Sequence, residues 1–265
     1  MFAIMSGSIG GRLLNRNVEA QDWAKAKVDA SPRHREYVKV MHDGRTINTF
    51  IAYPMTTGKA PVIVLIHEIF GMSDWTREMA DDLAAQGYIA VLPDLLSGTG
   101  PGGGGTDSYA TQNDVTKAVS GLDDAQVMAD VNAAADYGEK LPSANGKLYV
   151  AGFCWGGGKS FNFATHRKDL SAAFVFYGTP PPAAQMANIA APVYGFYAGT
   201  DARVSATVPQ AKTDMAAAGK HYESVIYDGA QHGFMRSGED PAATAPNKAA
   251  REAAFAKVVE VMKKG

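Results

Sequence analysis

The stretch Leu148-Tyr-Val-Ala-Gly-Phe-Cys154-Trp-Gly-Gly-Gly-Lys-Ser160 carries three structural messages in thirteen positions. Leu148, Tyr149 and Val150 form a short apolar run that reads as a buried strand. Residues 157–165 are compatible with a helix and begin almost at once. Between them stands Gly152-Phe-Cys154-Trp-Gly156, the small-x-nucleophile-x-small pattern of a sharp strand-to-helix turn, with cysteine at its centre. The glycines have a steric task, because side chains at Gly152 and Gly156 would collide where the chain reverses. Such a turn lifts the sulfur above a sheet and places it at a helix N-terminus, where the helix dipole favours thiolate over thiol. The plainer reading is a buried structural thiol, and the glycine frame argues against it.

A strand entering a helix at a turn like this belongs to a parallel sheet, and the rest of the chain repeats the alternation. Residues 61–66 (Pro-Val-Ile-Val-Leu-Ile) are apolar on both faces, as a central parallel strand requires. They run into His67-Glu-Ile-Phe-Gly71, after which Ser73 and Asp74 can cap a helix over 75–86. Further strands are expected over 89–92, 172–177, 193–198 and 222–227, and helices over 122–139, 204–218 and 247–264. Upstream, residues 37–41 and 47–53 alternate apolar and polar around His42-Asp-Gly44 and predict an antiparallel hairpin. The expected fold class is α/β: a mostly parallel central sheet with helices on both faces and an N-terminal antiparallel hairpin. The expected organisation is one domain over 36–265, preceded by a polar arm over 1–35 with a short helix near 22–28. Residues 95–111, which include Gly102-Gly-Gly-Gly105, predict an irregular flap near the catalytic face. These glycines are not a phosphate cradle, since no strand immediately precedes them and no Lys-Ser/Thr follows.

Composition narrows the function classes. The 265 residues are 46% hydrophobic with a formal net charge of -2, enough for a large core and without the basic footprint of a nucleic-acid or anionic-membrane partner. One cysteine excludes an intrachain disulfide or a multi-cysteine metal site, and no metal or cofactor is expected. No apolar run approaches the roughly 18 residues that cross a bilayer. The expectation is a cytoplasmic protein, or an exported one if the first residues are the remnant of a signal sequence. It is expected to act on a small molecule, as a monomer or small homo-oligomer.

A cysteine nucleophile needs a base, and the base needs an orienting group. In α/β-hydrolases these follow the nucleophile in the order acid then histidine, on loops after later strands. Asp201, in Ala198-Gly-Thr-Asp201, and His232, in Gly229-Ala-Gln-His232, meet that order at the carboxyl ends of two predicted strands. Taken singly, one could be a turn aspartate and the other a surface histidine. His34, His42, His166 and His221 are read as solvated, and His67 as shaping the loop after its strand. Donors for an oxyanion are expected from the backbone N–H of Trp155 and of Ile69. Tyr109 and Tyr177 are candidates to line the pocket.

His67-Glu-Ile-Phe-Gly71, Gly152-Phe-Cys154-Trp-Gly-Gly157, Gly199-Thr-Asp201 and His232-Gly-Phe234 together resemble the dienelactone hydrolases (carboxymethylenebutenolidases), across about residues 37–262. The resemblance implies an α/β-hydrolase that cleaves an enol-lactone or related ester without a cofactor. It further implies that Cys154 rests as a thiol activated by Glu68, and that Glu68 is paired at rest with Arg236 until a substrate carboxylate competes for the arginine. The family's second substrate arginine would lie after the strand over 89–92, but no arginine occurs from Asp94 to His166, and Lys117 is the cation nearest that loop. Ester or lactone hydrolysis is therefore the expectation, with dienelactone itself not implied. A broad carboxylesterase for neutral esters is the alternative, and a non-catalytic binding or redox protein on the same scaffold is the third.

Overall fold

The computed structural model describes residues 21–265. Eight strands form one sheet: β1 (Arg35–His42), β2 (Arg45–Ala52), β3 (Ala60–Ile66), β4 (Ile89–Pro93), β5 (Ala144–Phe153), β6 (Leu170–Phe176), β7 (Val193–Ala198) and β8 (Tyr222–Tyr227). Their order is β1-β2-β4-β3-β5-β6-β7-β8. β3 to β8 pair in parallel, whereas β1 and β2 form the antiparallel hairpin and β2 joins β4 antiparallel. The hairpin closes in two residues because Asp43 and Gly44 both take positive φ, 45° and 77°, as a turn matched to strand twist demands.

Alternate residues of the parallel strands supply two cores. Leu65, Ala151, Phe153, Phe174 and Phe196 face the layer that holds α2 (Asp74–Ala85) and the last helix. Val62, Val64, Val150, Val175 and Val193 face the layer that holds the helices over Asp124–Glu139 and Trp155–His166. The sheet is thus buried on both faces, which is why its strands read as continuous apolar runs.

The strand order decides where a site can form. From β3 the chain moves outward to β4 and then returns to place β5 on β3's other side. A crevice opens above the carboxyl ends of β3 and β5, the position at which doubly wound sheets bind ligands. Ile66 and Gly152 are register partners there, so the loops that follow them are neighbours.

Several expectations change. Residues 204–218 are two helices, Ala202–Ser205 and Val208–Ala217, because Asp201 caps the first and a proline opens the second. His42 is not solvated: its Nε2 lies 2.7 Å from Asp130 Oδ1, and Arg45 Nε donates to the same buried carboxylate at 2.9 Å. The glycine-rich stretch is pinned at its base. Buried Asp94 accepts from the Thr106 amide (2.8 Å) and hydroxyl (2.7 Å), and the Thr106 Oγ1 accepts from the Met72 amide at 3.1 Å.

At the N-terminal end, the first helix, α1 (Asp22–Ala30), docks on α2. Ala24 is buried, Gln21 Oε1 accepts from the Trp75 amide at 2.8 Å, and Lys27 pairs with Glu78 at 2.9 Å. The part of the expected arm over residues 1–20 lies outside the described residues. Among the described residues no helix is long and apolar enough to cross a membrane.

Candidate active site

Cys154 sits between β5 and the helix over Trp155–His166 with φ 57° and ψ -118°. A non-glycine residue there is strained, and the surroundings hold it. A Cβ on Gly152 would fall on the Gly156 carbonyl, and one on Gly156 would fall on the Ile66 and His67 carbonyls. These two glycines therefore let the turn close on itself and press against the end of β3. The Cys154 amide donates to the Phe176 carbonyl at 3.0 Å, fixing the turn to β6 as well. Tyr177, next along β6, also has positive φ, 40°. Two of the three positive-φ residues other than glycine among the described residues thus lie side by side at this crevice.

The sulfur is half-buried, and the backbone N–H groups of Trp155 and Ile69 both point at it. Its ionisation departs from the helix-dipole expectation. Burial, and next the charge of Glu68, push the Cys154 thiol up to about 11, against the smaller opposing effects of the two amides and Arg203. At neutral pH the residue is a thiol.

Glu68 is buried at the start of the loop after β3. Its Oε2 accepts from Arg236 Nε at 3.0 Å, and Arg236 comes from the short helix Phe234–Ser237 just after His232. Burial raises the Glu68 carboxyl, while Arg236 and then His232 hold it down. The Arg236 guanidinium lies over the Phe70 ring, 5.3 Å from its centre, and only 15% of its side chain is exposed.

His232 Nδ1 lies 2.5 Å from Asp201 Oδ2. Asp201's other oxygen accepts from the Val204 amide at 3.2 Å, so this residue is a helix cap and a histidine partner together. The two loops are tied: the Thr200 amide and hydroxyl both donate to the Ala230 carbonyl, at 3.0 and 2.8 Å. The His232 ring packs on Tyr177 with centroids 4.9 Å apart. The buried Tyr177 hydroxyl makes no hydrogen bond of good geometry, although it lies against Glu68 and the Met235 backbone. Glu68 is the common neighbour, feeling Arg236, His232 and Tyr177 and acting in turn on Cys154.

His67 shapes the loop. Its Nδ1 lies 2.8 Å from the Glu68 carbonyl, its Nε2 accepts from the Leu95 amide at 3.4 Å, and burial lowers its basicity. The ring stacks on Trp155, centroids 5.7 Å apart.

A cavity of about 490 Å³ opens over Cys154 and is lined by Ile69, Trp155 and Tyr177 from the expected set. Tyr109 is not in its lining; the tyrosine packs beside Leu96, Val115 and Val119, and its hydroxyl lies 3.1 Å from Thr99 Oγ1. Arg236 is not in the lining either. Lys117 is exposed on the helix Gln112–Ser120 and does not reach the cavity. The lining brings in Arg203 and Lys159 instead, neither anticipated. Arg203 stands two residues after Asp201, in the short helix Ala202–Ser205 beyond the carboxyl end of β7, and its place next to Asp201 was the available signal. Among the described residues Glu78, Asp82 and Glu239 come close enough to share an ion, but Lys27 and Arg251 already pair with them.

This arrangement of a turn-held thiol, amides aimed at it, a buried carboxylate and an Asp–His pair suits acyl transfer. Residues 47–265 match the family model described as "Dienelactone hydrolase family". A Methylorubrum extorquens protein named "Putative carboxymethylenebutenolidase" is 33% identical over 206 residues, covering 73% of this chain and 69% of its own. The "Carboxymethylenebutenolidase" of Pseudomonas putida is 29% identical over 198 residues, covering 74% of this chain and 84% of its own. The crystal structure of a "Putative Dienelactone Hydrolase" from Klebsiella pneumoniae superposes with a TM-score of 0.78 at 25% identity, over 89% of this chain and all of that one. The chain has the α/β-hydrolase fold and belongs to the dienelactone hydrolase family, whose members hydrolyse esters or lactones.

Proposed function

We propose that this protein hydrolyses small esters or lactones through a thioester on Cys154. The observation that carries the reading is the convergence on one sulfur of the Ile69 and Trp155 amides and the Glu68 carboxylate.

A thiol raised to about 11 is not a nucleophile at pH 7 until a neighbour removes its proton. Glu68 is placed for that step, with its own basicity increased by burial and kept in check by Arg236. As the proton passes to Glu68, Sγ bonds to the ester carbonyl carbon. The carbonyl oxygen becomes an oxyanion, which the Ile69 and Trp155 amides stabilise. The carbon–oxygen bond to the alcohol part then breaks, and the departing oxygen takes the proton from Glu68.

In the second half His232 removes a proton from water, whose oxygen attacks the thioester. The carbon–sulfur bond breaks and the sulfur recovers the proton from His232. Asp201 accepts the Nδ1 hydrogen bond, which leaves Nε2 free to act as the base.

Cys154→Ala should abolish turnover of a small aryl ester while the far-UV circular dichroism stays that of the wild type. Activity retained by that variant removes the nucleophile assignment. A cytoplasmic location remains part of the proposal, tested by fractionation of cells that express the chain.

A further inference from the structure

The last helix (Ala245–Lys264) buries Ala250, Ala254 and Val258 at helical spacing, and the same stripe begins with an amide, Asn247, only 2% exposed. Packing alone calls for an aliphatic side chain there, because a buried amide without partners is costly. Asn247 finds its partners on the loop that carries His232 and Arg236. Its Oδ1 accepts from the Gln231 amide at 2.8 Å, and its Nδ2 donates to Ser237 Oγ at 3.0 Å and to Gln231 Oε1 at 3.4 Å. A backbone N–H can only donate, so the Gln231 amide fixes which way the Asn247 side chain faces.

These bonds end beside the site residues. Gln231 immediately precedes His232, and Ser237 immediately follows Arg236. The Ser237 hydroxyl, which accepts from Asn247, donates in turn to the Gly233 carbonyl at 3.2 Å. His232 is thus held through the residue before it and the residue after it. The end of the loop closes on the same helix position, since a Cβ on Gly238 would fall on the Asn247 carbonyl. Asn247 itself is absent from the lining of the cavity over Cys154.

We propose that Asn247 is a positioning residue for His232, holding from outside the cavity the backbone on which the imidazole is hung. The inference rests on the hydrolase reading above and extends it by making the last helix part of the machinery that releases the acyl group. Asp201 fixes the ring at Nδ1, and Asn247 fixes where the ring begins. A ring displaced by about 1 Å loses on the order of 100-fold in rate. The loss falls on the second half of the reaction, in which His232 takes the proton of the attacking water. Formation of the thioester, with Glu68 as base, is largely spared.

The test follows hydrolysis of phenyl acetate by the full chain, with the acetyl thioester on Cys154 read by intact mass. Phenol leaves readily, so kcat for this ester reports on deacylation and kcat/KM on acylation. Asn247→Leu should lower kcat by about 100-fold, keep kcat/KM within about threefold, and accumulate the thioester. A partly unfolded sample behaves otherwise, losing kcat and kcat/KM by one factor and accumulating nothing. Asn247→Asp, which keeps the acceptor for Gln231, should recover about tenfold of the loss, and Ser237→Ala should lower kcat by about tenfold even if Asn247→Leu does not fold. In a His232→Ala background, Asn247→Leu should cost less than about threefold more, because the residue it positions is gone. Unchanged kcat in Asn247→Leu and Ser237→Ala, a parallel loss of kcat and kcat/KM, or the full loss in the His232→Ala background overturns the assignment. Cys154-dependent turnover by the wild type leaves the hydrolase reading standing in each of those cases. If the wild type leaves phenyl acetate intact and forms no thioester, that reading falls and the inference falls with it.

Discussion

Replacing Glu68 with glutamine should move two properties of Cys154 in opposite directions. The thiol is raised from 9.0 to about 11, chiefly by burial and then by the Glu68 charge. Two units correspond to about 100-fold less thiolate at any pH well below 9. Iodoacetamide should therefore alkylate the wild type about 100-fold more slowly at pH 7.5 than an unperturbed thiol, before any restriction of access. Its rate should climb close to tenfold per pH unit without levelling off before about pH 10. Glutamine keeps an oxygen for the Arg236 Nε and removes the negative charge. The thiol then becomes easier to ionise, and alkylation at pH 7.5 should accelerate by about tenfold, one unit's worth. Ester turnover should fall by about 10²–10⁴-fold, because the proposed base is gone. Both quantities can be read on the same samples, by mass-spectrometric labelling across pH and by aryl-ester kinetics. A wild-type labelling curve that plateaus below pH 8 refutes the electrostatic argument. A variant that labels more slowly, or hydrolyses as well as the wild type, refutes the role of Glu68.

Gly152→Ala should destabilise by about 3–5 kcal/mol in urea unfolding, since the new methyl meets the Gly156 carbonyl and neither backbone can yield; a loss under 1 kcal/mol contradicts the packing of the turn. Asp201→Asn should cut kcat by about 10³-fold with little loss of stability, because an amide oxygen can still cap Val204 while the histidine tautomer is no longer enforced; an equal loss of melting temperature and activity assigns the residue to structure alone. Glu78, buried between Asp82, Lys27, Arg251 and Glu239, is pushed up to about 7 from 4.5, mainly by burial. The folded protein holds that proton more tightly than the unfolded chain, so the stability it contributes is full below pH 4.5 and is lost as pH rises through 7, about 3 kcal/mol in all. Glu78→Gln should therefore gain stability over the wild type at pH 8 and much less at pH 5, and an equal effect at both values contradicts the burial argument.

The parts of the site that local chemistry dictates are legible in the sequence. Gly152 has a steric reason within the turn itself, since its side chain would meet the Gly156 carbonyl, whereas Gly156 is required by the Ile66 and His67 carbonyls at the end of β3. Asp201 and His232 were legible from chain order and loop position, and they meet at 2.5 Å. What stayed hidden depends on distant residues. A helix N-terminus alone favours a thiolate at Cys154, but burial and then the Glu68 carboxylate from the loop after β3 raise the thiol to about 11. His42 gave no sign of Asp130, 88 positions away. Arg203 reaches the cavity from the short helix Ala202–Ser205 that Asp201 caps, a turn that no apolar periodicity announces. Tyr109 and Tyr177 are chemically alike, and which of them faces the substrate depends on packing.

The anchoring of residues 95–111 by one carboxylate has a practical corollary. Asp94 and Thr106 fasten the segment where it leaves and rejoins the body, whereas Gly102 and Gly103 at its crest turn through φ 66° and 77° with open space around where a side chain would begin. An epitope or fluorescent reporter spliced at that crest would hang in solvent, its attachment points held by bonds it does not touch.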